Sequence, residues 1–371
     1  MPYVAALAGL VLVVSILIDA FEVVLLPRPV RRHFRINHYF FSATWRGWSA
    51  LGRHVRSERR REDFLGVYGP MSMVAIFTLW GVCLIVGFGL LHWAVEQLVP
   101  MGTRQSLASA MVVSGDAFFT LGYGDIVPRH ALARLLVILE AGTGFGFIAL
   151  TIGYLPVLYQ HFARRDVQLV EFAARAGSPP TAATLLAWHG AGERAQLQSW
   201  LRDWELWGAD LIESHSVYPM LAFYRSQHEG QSWLAALAVL MDCCALLVVG
   251  GADGGRLQAA ATFSAMGRVL DQMGDSLRTR HAPPHTVDRL DAAEWGRLRP
   301  VFERALPDWR DDAESVEALR GLRARYEPQL VALSAYLLLP MPAWVPKEGA
   351  MQTACFDRDR LIERLGAPRD D

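Results

Sequence analysis

The chain has 371 residues, of which 52% are hydrophobic, and its 36 basic and 37 acidic side chains leave a formal net charge of −1. That balance by itself says nothing about nucleic acid, but no basic, aromatic-interleaved tract suggests a binder, and none is expected. Cys83, Cys243, Cys244 and Cys355 have neither disulfide nor metal-ligand spacing, so they read as reduced packing residues.

Hydrophobicity is concentrated at the N-terminal end, in residues 3–26, 71–99 and most of 131–158. Each run is long enough to cross a hydrocarbon core of about 30 Å at about 1.5 Å per helical residue. No Lys or Arg precedes the first run, and arginines follow it, so residues 1–27 are expected to be an uncleaved anchor rather than a signal peptide. Asp19 and Glu22 share a face near its inner end. They are expected either to pair with the arginines of 28–35 or, less simply, to sense voltage or protons.

Residues 28–70 form a basic linker. Arg28, Arg31, Arg32, Arg35, Arg46, Arg53, Arg56, Arg59, Arg60 and Arg61 face only Glu58, Glu62 and Asp63. Such a segment stays on the cytoplasmic side, which puts the N-terminus outside and sends 71–99 outward. Within it, INHYFFSATWRGWSALGRHV carries aromatics and arginines at helical spacing. This fits either a helix lying in the membrane interface or a cytoplasmic connector.

Residues 106–118 are too short to span and suit a re-entrant half-helix. The stretch after it, TLGYGD at 120–125, breaks the helix with Gly122 and Gly124. Irregular backbone at membrane depth is tolerated only inside protein or beside a polar cavity. The third span, about 130–160, runs inward and ends before Arg164 and Arg165. The expected architecture is thus an all-α membrane protein whose pore domain, 71–163, comprises an outer helix, a pore helix, a filter and an inner helix. An extra N-terminal span precedes it and an all-helical cytoplasmic domain, 164–371, follows.

TLGYGD resembles the selectivity filter of potassium channels, which places the chain with bacterial channels of the single-pore-loop family. The resemblance implies that Thr120, Leu121, Gly122, Tyr123 and Gly124 line a potassium path. There, backbone oxygens and the Thr120 hydroxyl replace the hydration shell, while the Tyr123 ring packs behind. Potassium is then the permeant ion, and no organic cofactor is expected. The chain holds one such stretch, so a homotetramer among membrane lipids is implied, in the plasma membrane of a bacterium. Asp116 and Asp125 are expected to pair behind the filter and share a proton, unless Asp116 simply faces water. Two departures stand out. Val112 and Val113 replace a common tryptophan pair, and Phe119 replaces a small hydroxyl residue, where it could narrow the inner mouth.

LEAGTGFGFIALTIGYLP, 139–156, resembles the inner helix of prokaryotic inward-rectifier-like channels. Gly144 then takes the hinge position and Phe145, Ile148 and Ile152 face the cavity, with a kink expected at Pro156. Gly142, Gly144 and Gly146 could instead serve close packing against 71–99. Glu140, near mid-membrane, is expected to accept from Ser114 or Thr143 as a scaffold, or else to act on permeation.

Beyond residue 164, helical periodicity dominates: Leu185, Leu186, Leu197, Trp200, Leu201, Trp204 and Trp207, then 231–249, 256–278 and 312–339. Residues 231–249 are nearly long enough to span, yet Asp242 in the middle favours a buried core helix. SPP, HEG, GGADGG and APPH mark turns. His215, His228, Asp242 and Cys243–Cys244 lack the spacing of a metal site. No nucleophile–base pair or phosphate loop appears, so an enzyme is not expected. The whole reads as a potassium channel whose helical domain either gates it, through an unknown ligand or partner protein, or only assembles it. A less selective monovalent cation channel is the alternative.

Overall fold

The computed structural model describes residues 1–24, 36–98, 106–128, 131–189, 194–250, 253–279, 288–305, 309 and 312–346. The described residues form helices and no β-strand, and several of the helices are long and apolar enough to cross a membrane. The protein is an all-α membrane protein. Arg28, Arg31, Arg32, Arg35, the APPH turn, residues 251–252 of GGADGG and Cys355 lie outside the described residues. The chain divides into two compact units, 1–160 and 161–371.

In the first unit, α1 (Pro2–Val24) packs along α4 (Tyr68–Leu98). The buried face of α1 is Gly9, Val13, Ile16, Asp19 and Ala20, spaced three or four residues apart along the helix. A Cβ on Gly9 would stand 2.6 Å from the Gly87 carbonyl, and one on Gly87 would stand 3.2 Å from the Gly9 carbonyl. Two glycines therefore let the helices touch backbone to backbone, the small-residue packing that replaces hydrophobic driving force within lipid. Asp19 is buried and accepts from Trp80 Nε1 at 3.1 Å, an indole partner that spacing along the chain does not indicate. Glu22 is half-buried.

The linker folds as α2 (Ile36–Arg53) and α3 (Glu58–Gly66). Its aromatics turn toward neighbouring helices. Trp48 stacks on Phe64 at 4.4 Å, Trp45 meets Tyr68 edge-on at 4.8 Å, and Tyr68 donates to the Phe41 carbonyl. Tyr39 and Leu51 are the large apolar side chains of α2 left exposed. α4 starts at Tyr68, slightly earlier than the hydrophobic run suggests, because Tyr68 and Gly69 are buried and helical.

α5 (Leu107–Phe118) is the half-helix, packed on α4, where Met111 fills the space beside Gly89. α6 (Ala131–Ala176) runs through Pro156 without interruption and past the membrane end expected near residue 160. A proline removes one amide donor, and the intact helical turns on either side hold the helix through the gap.

In the second unit, α7 (Ala182–His189), α8 (Arg194–Val217), a 3-10 turn at Pro219–Phe223, α9 (Trp233–Gly250), α10 (Asp253–Leu277), α11 (Ala292–Ala305) and α12 (Ala313–Leu337) follow the end of α6. α9 is buried on almost every face, with α7, α10 and α12 around it. A helix apolar all round belongs in a core or a membrane. Here neighbouring helices cover it, and Asp242 finds partners inside. Arg225 caps the end of α12, donating to the carbonyls of Leu337 and Leu338. α11 is not among the helices read from periodicity, although Leu298, Val301 and Phe302 on it are buried at helical spacing. Its start is legible all the same, since Asp291 followed by Glu294 is a capping pattern and the Asp291 carboxylate accepts from the Glu294 amide at 2.8 Å.

Candidate functional site

The end of α5 sets the backbone of the filter-like stretch. Ser106 caps the helix start, its hydroxyl accepting from the Ser109 amide. At the other end, the Leu121 amide donates to the Asp116 carbonyl at 2.9 Å and the Thr120 amide to the Ala117 carbonyl at 3.1 Å. These nested bonds enclose a residue in the left-handed region, a place usually given to glycine. Here it is Thr120, with φ 53°. For a β-branched residue that conformation is a genuine outlier, of the kind that clusters at functional sites.

Gly122 and Gly124 repeat the inversion at φ 73° and 80°, while Leu121 and Tyr123 between them keep negative φ. In an ordinary strand, alternation sends successive groups to opposite sides. Inverting every second residue cancels that alternation, so successive carbonyls can share one side and successive side chains the other. Such a row of oxygens can take the place of water around a bare cation.

The Tyr123 amide donates to Asp116 Oδ1 at 3.0 Å. Asp125 is exposed, and among the described residues no hydrogen bond joins it to Asp116. The expected carboxyl pair is thus replaced by a carboxylate on a backbone amide. The physical reason is that irregular backbone leaves N–H groups without ladder partners, and Asp116 lies within reach of one of them. Phe119 makes an edge contact with Phe118 at 5.2 Å and is half exposed. Leu121, Tyr123 and Val112 are exposed on the single chain.

On α6, the glycines separate by function. A Cβ on Gly144 would stand 2.1 Å from the Phe118 carbonyl oxygen, whereas Gly142 and Gly146 have nothing within 4 Å. Gly144 therefore packs against the end of α5. Phe145 (71% exposed), Ile148 and Ile152 (67% exposed) point away from the rest of their own unit, and Pro156 is exposed beyond them.

Glu140 is fully buried and links three helices. Its Oε2 lies 2.7 Å from His92 Nε2 on α4, and its Oε1 is in short contact with Ser114 Oγ on α5. The Ser114 hydroxyl also reaches the Ile85 carbonyl at 2.7 Å. Ser114 is thus one of the two expected partners. Thr143, the other, instead donates to the Leu139 carbonyl, and His92 is a partner that sequence reasoning missed. The available signal was a lone histidine in an apolar span, opposite a lone acid in the next one.

Residues 82–160 match the protein family described as ion channel. The match opens inside α4, takes in α5 and the filter-like stretch, and closes in α6. An uncharacterized membrane protein, YdjJ of Bacillus subtilis (strain 168), is 24% identical over 211 residues, or 56% of this chain and 59% of that protein. The chain thus spans under two thirds of the relative's length. No solved structure matches.

In the second unit the singled-out polar residues go separate ways. Among the described residues no group of three or more His, Cys, Asp or Glu could hold a metal ion. Asp242 pairs with Arg289 at 2.5 Å and accepts from the Tyr326 hydroxyl at 2.7 Å. Arg323 bonds Glu327 and Asp288, and both arginines lie over the Trp344 ring. Burial and the neighbouring Asp242 charge push the Tyr326 hydroxyl well above its usual range and raise the Glu327 carboxyl. His228 reaches Asp166 at 3.9 Å. The Arg165 guanidinium is buried against the carbonyls of Leu221 and Tyr224, with Nη1 3.3 Å from His215 Nε2. Because arginine only donates, Nε2 accepts there, and Nδ1 donates to the Leu211 carbonyl at 2.9 Å. Burial, then the Arg165 charge, hold His215 well below its ordinary pKa.

Proposed function

We propose that the chain is one subunit of a potassium-selective channel, four copies of which surround a common pore. Residues 120–124 supply one quarter of the filter. The observation that carries this reading is the inverted φ at Thr120, Gly122 and Gly124 within TLGYGD, directly after a half-helix. The match of residues 82–160 to an ion-channel family supports it. The exposure of Leu121, Tyr123, Phe145 and Ile152 on a single chain agrees with faces reserved for neighbouring subunits and a lumen. Potassium sheds its water against backbone oxygens, and the electronegative C-terminal end of α5 favours a cation below the filter.

The reading places the channel in a bacterial plasma membrane, with the arginine-rich linker and the helical domain in the cytoplasm. Because α6 runs unbroken from the inner-helix segment into the second unit, we assign that unit a regulatory role. The test is flux from purified full-length protein in liposomes. A reversal potential that follows the potassium gradient and ignores sodium is the expected result. Equal response to both ions would leave a nonselective cation pore instead.

A further inference from the structure

Glu140, His92 and Ser114 come from three different helices and meet at a buried point. Ser114 Oγ is within hydrogen-bond distance of two oxygens, the Ile85 carbonyl at 2.7 Å and Glu140 Oε1. Two strong, near-linear oxygen–oxygen hydrogen bonds need two hydrogens, since one hydrogen shared between both oxygens would weaken each. Serine brings one, and a carbonyl brings none. His92 cannot supply the second, because its Nε2 is directed at the other carboxyl oxygen, Oε2.

The remaining source is Glu140 itself. One arrangement satisfies every contact. Glu140 Oε1–H donates to Ser114 Oγ, the Ser114 hydroxyl donates to the Ile85 carbonyl, and His92 Nε2–H donates to Glu140 Oε2. An ionised Glu140 would leave Ser114 facing two acceptors with one hydrogen, and at least one of the two contacts would be weakened or lost in a buried site.

We infer that Glu140 is a neutral carboxylic acid at neutral pH and that in this form it clamps α6 to both α4 and α5, holding the filter stretch in place. Among the described residues no Lys or Arg pairs with Glu140. Of the acids on the other helices, Asp116 on α5 accepts from the Tyr123 amide, Asp19 on α1 accepts from Trp80, and Glu96 lies one turn beyond His92 on α4. Glu140 and His92 are positioning residues, since neither belongs to the 120–124 backbone that would meet the ion. The consequence for selectivity rests on the proposed channel reading, and the protonation state does not.

The experiment uses the full-length protein in lipid. An infrared difference spectrum, wild type minus Glu140→Gln at neutral pH, should contain the C=O stretch of a protonated carboxyl. In liposomes Glu140→Gln, whose amide can donate to Ser114 and accept from His92, should keep the wild-type potassium-to-sodium flux ratio. Glu140→Ala should lower that ratio about tenfold or more, equivalent to about 1.4 kcal/mol lost from positioning. No protonated-carboxyl band, a Gln variant as leaky as the Ala variant, or an Ala variant as selective as wild type would each overturn the inference. If wild type carried no potassium flux, the channel reading would fail while the infrared band still decided the state of Glu140.

Discussion

Substituting Gly144 with alanine separates two roles that this glycine could play in α6. The added Cβ would stand 2.1 Å from the Phe118 carbonyl oxygen, 2.9 Å from its carbon and 3.0 Å from its Cα. Ordinary contact begins at 3.4 Å, so the two backbones have to part by about 1.3 Å, the difference between 3.4 and 2.1 Å. The obstacle is backbone and cannot rotate aside as a side chain would. Overpacking of this kind costs about 1–3 kcal/mol or more, and alanine's better helix propensity returns at most about 1 kcal/mol.

Because Phe118 lies two residues before Thr120, the displacement should reach the left-handed residue that opens the filter stretch. Gly144→Ala is expected to lower the thermal midpoint in detergent and to reduce the potassium-to-sodium flux ratio in liposomes. Gly142→Ala and Gly146→Ala, with no atom within 4 Å, are the internal controls. A hinge would behave differently, with selectivity and melting unchanged and only the open fraction altered. Gly144→Ala indistinguishable from Gly142→Ala in both assays would refute the packing reasoning.

Two further outcomes concern the second unit. Arg289→Leu leaves the fully buried Asp242 without its cation and should destabilise the unit by about 3–5 kcal/mol. Tyr326→Phe removes one hydrogen bond to the same carboxylate and should cost about 1.5–3 kcal/mol. Denaturant titration followed by tryptophan fluorescence would rank them, and a Tyr326→Phe variant as unstable as Arg289→Leu would contradict the ion pair's being the stronger of the two interactions. His215 gives a pH signature. Its folded pKa is depressed, so as pH falls below the unfolded value of about 6.5 the unfolded chain takes up a proton that the folded one refuses. Its contribution to stability is therefore full above that value and falls by about 1.4 kcal/mol per pH unit toward the folded pKa. Replacing His215 with Asn should remove this slope between about pH 6.5 and 5, and equal slopes in melting experiments would show that His215 binds its proton with the same affinity in both states.

The sequence by itself determined what depends on local order along the chain. Three long apolar runs, a short apolar half-helix and TLGYGD were legible because lipid crossing, helix length and glycine's access to positive φ are properties of contiguous residues. The same holds for the helices around Trp200–Trp207 and 231–249, where periodicity and length suffice. α11 escapes that reading, although the Asp291 cap and the helical spacing of Leu298, Val301 and Phe302 both lie in the sequence.

Only the tertiary structure decided which distant groups meet. Asp116 takes the Tyr123 amide instead of Asp125, since the nearest unsatisfied donor wins over a second carboxylate. Gly144 presses on Phe118, Asp19 meets Trp80, Glu140 meets His92, and Asp242 meets Arg289. Apart from Asp116 and Tyr123, each of these pairs joins residues far apart in number, and spacing says nothing about which helix face turns toward which. A buried polar group needs a partner wherever it sits; packing chooses the partner.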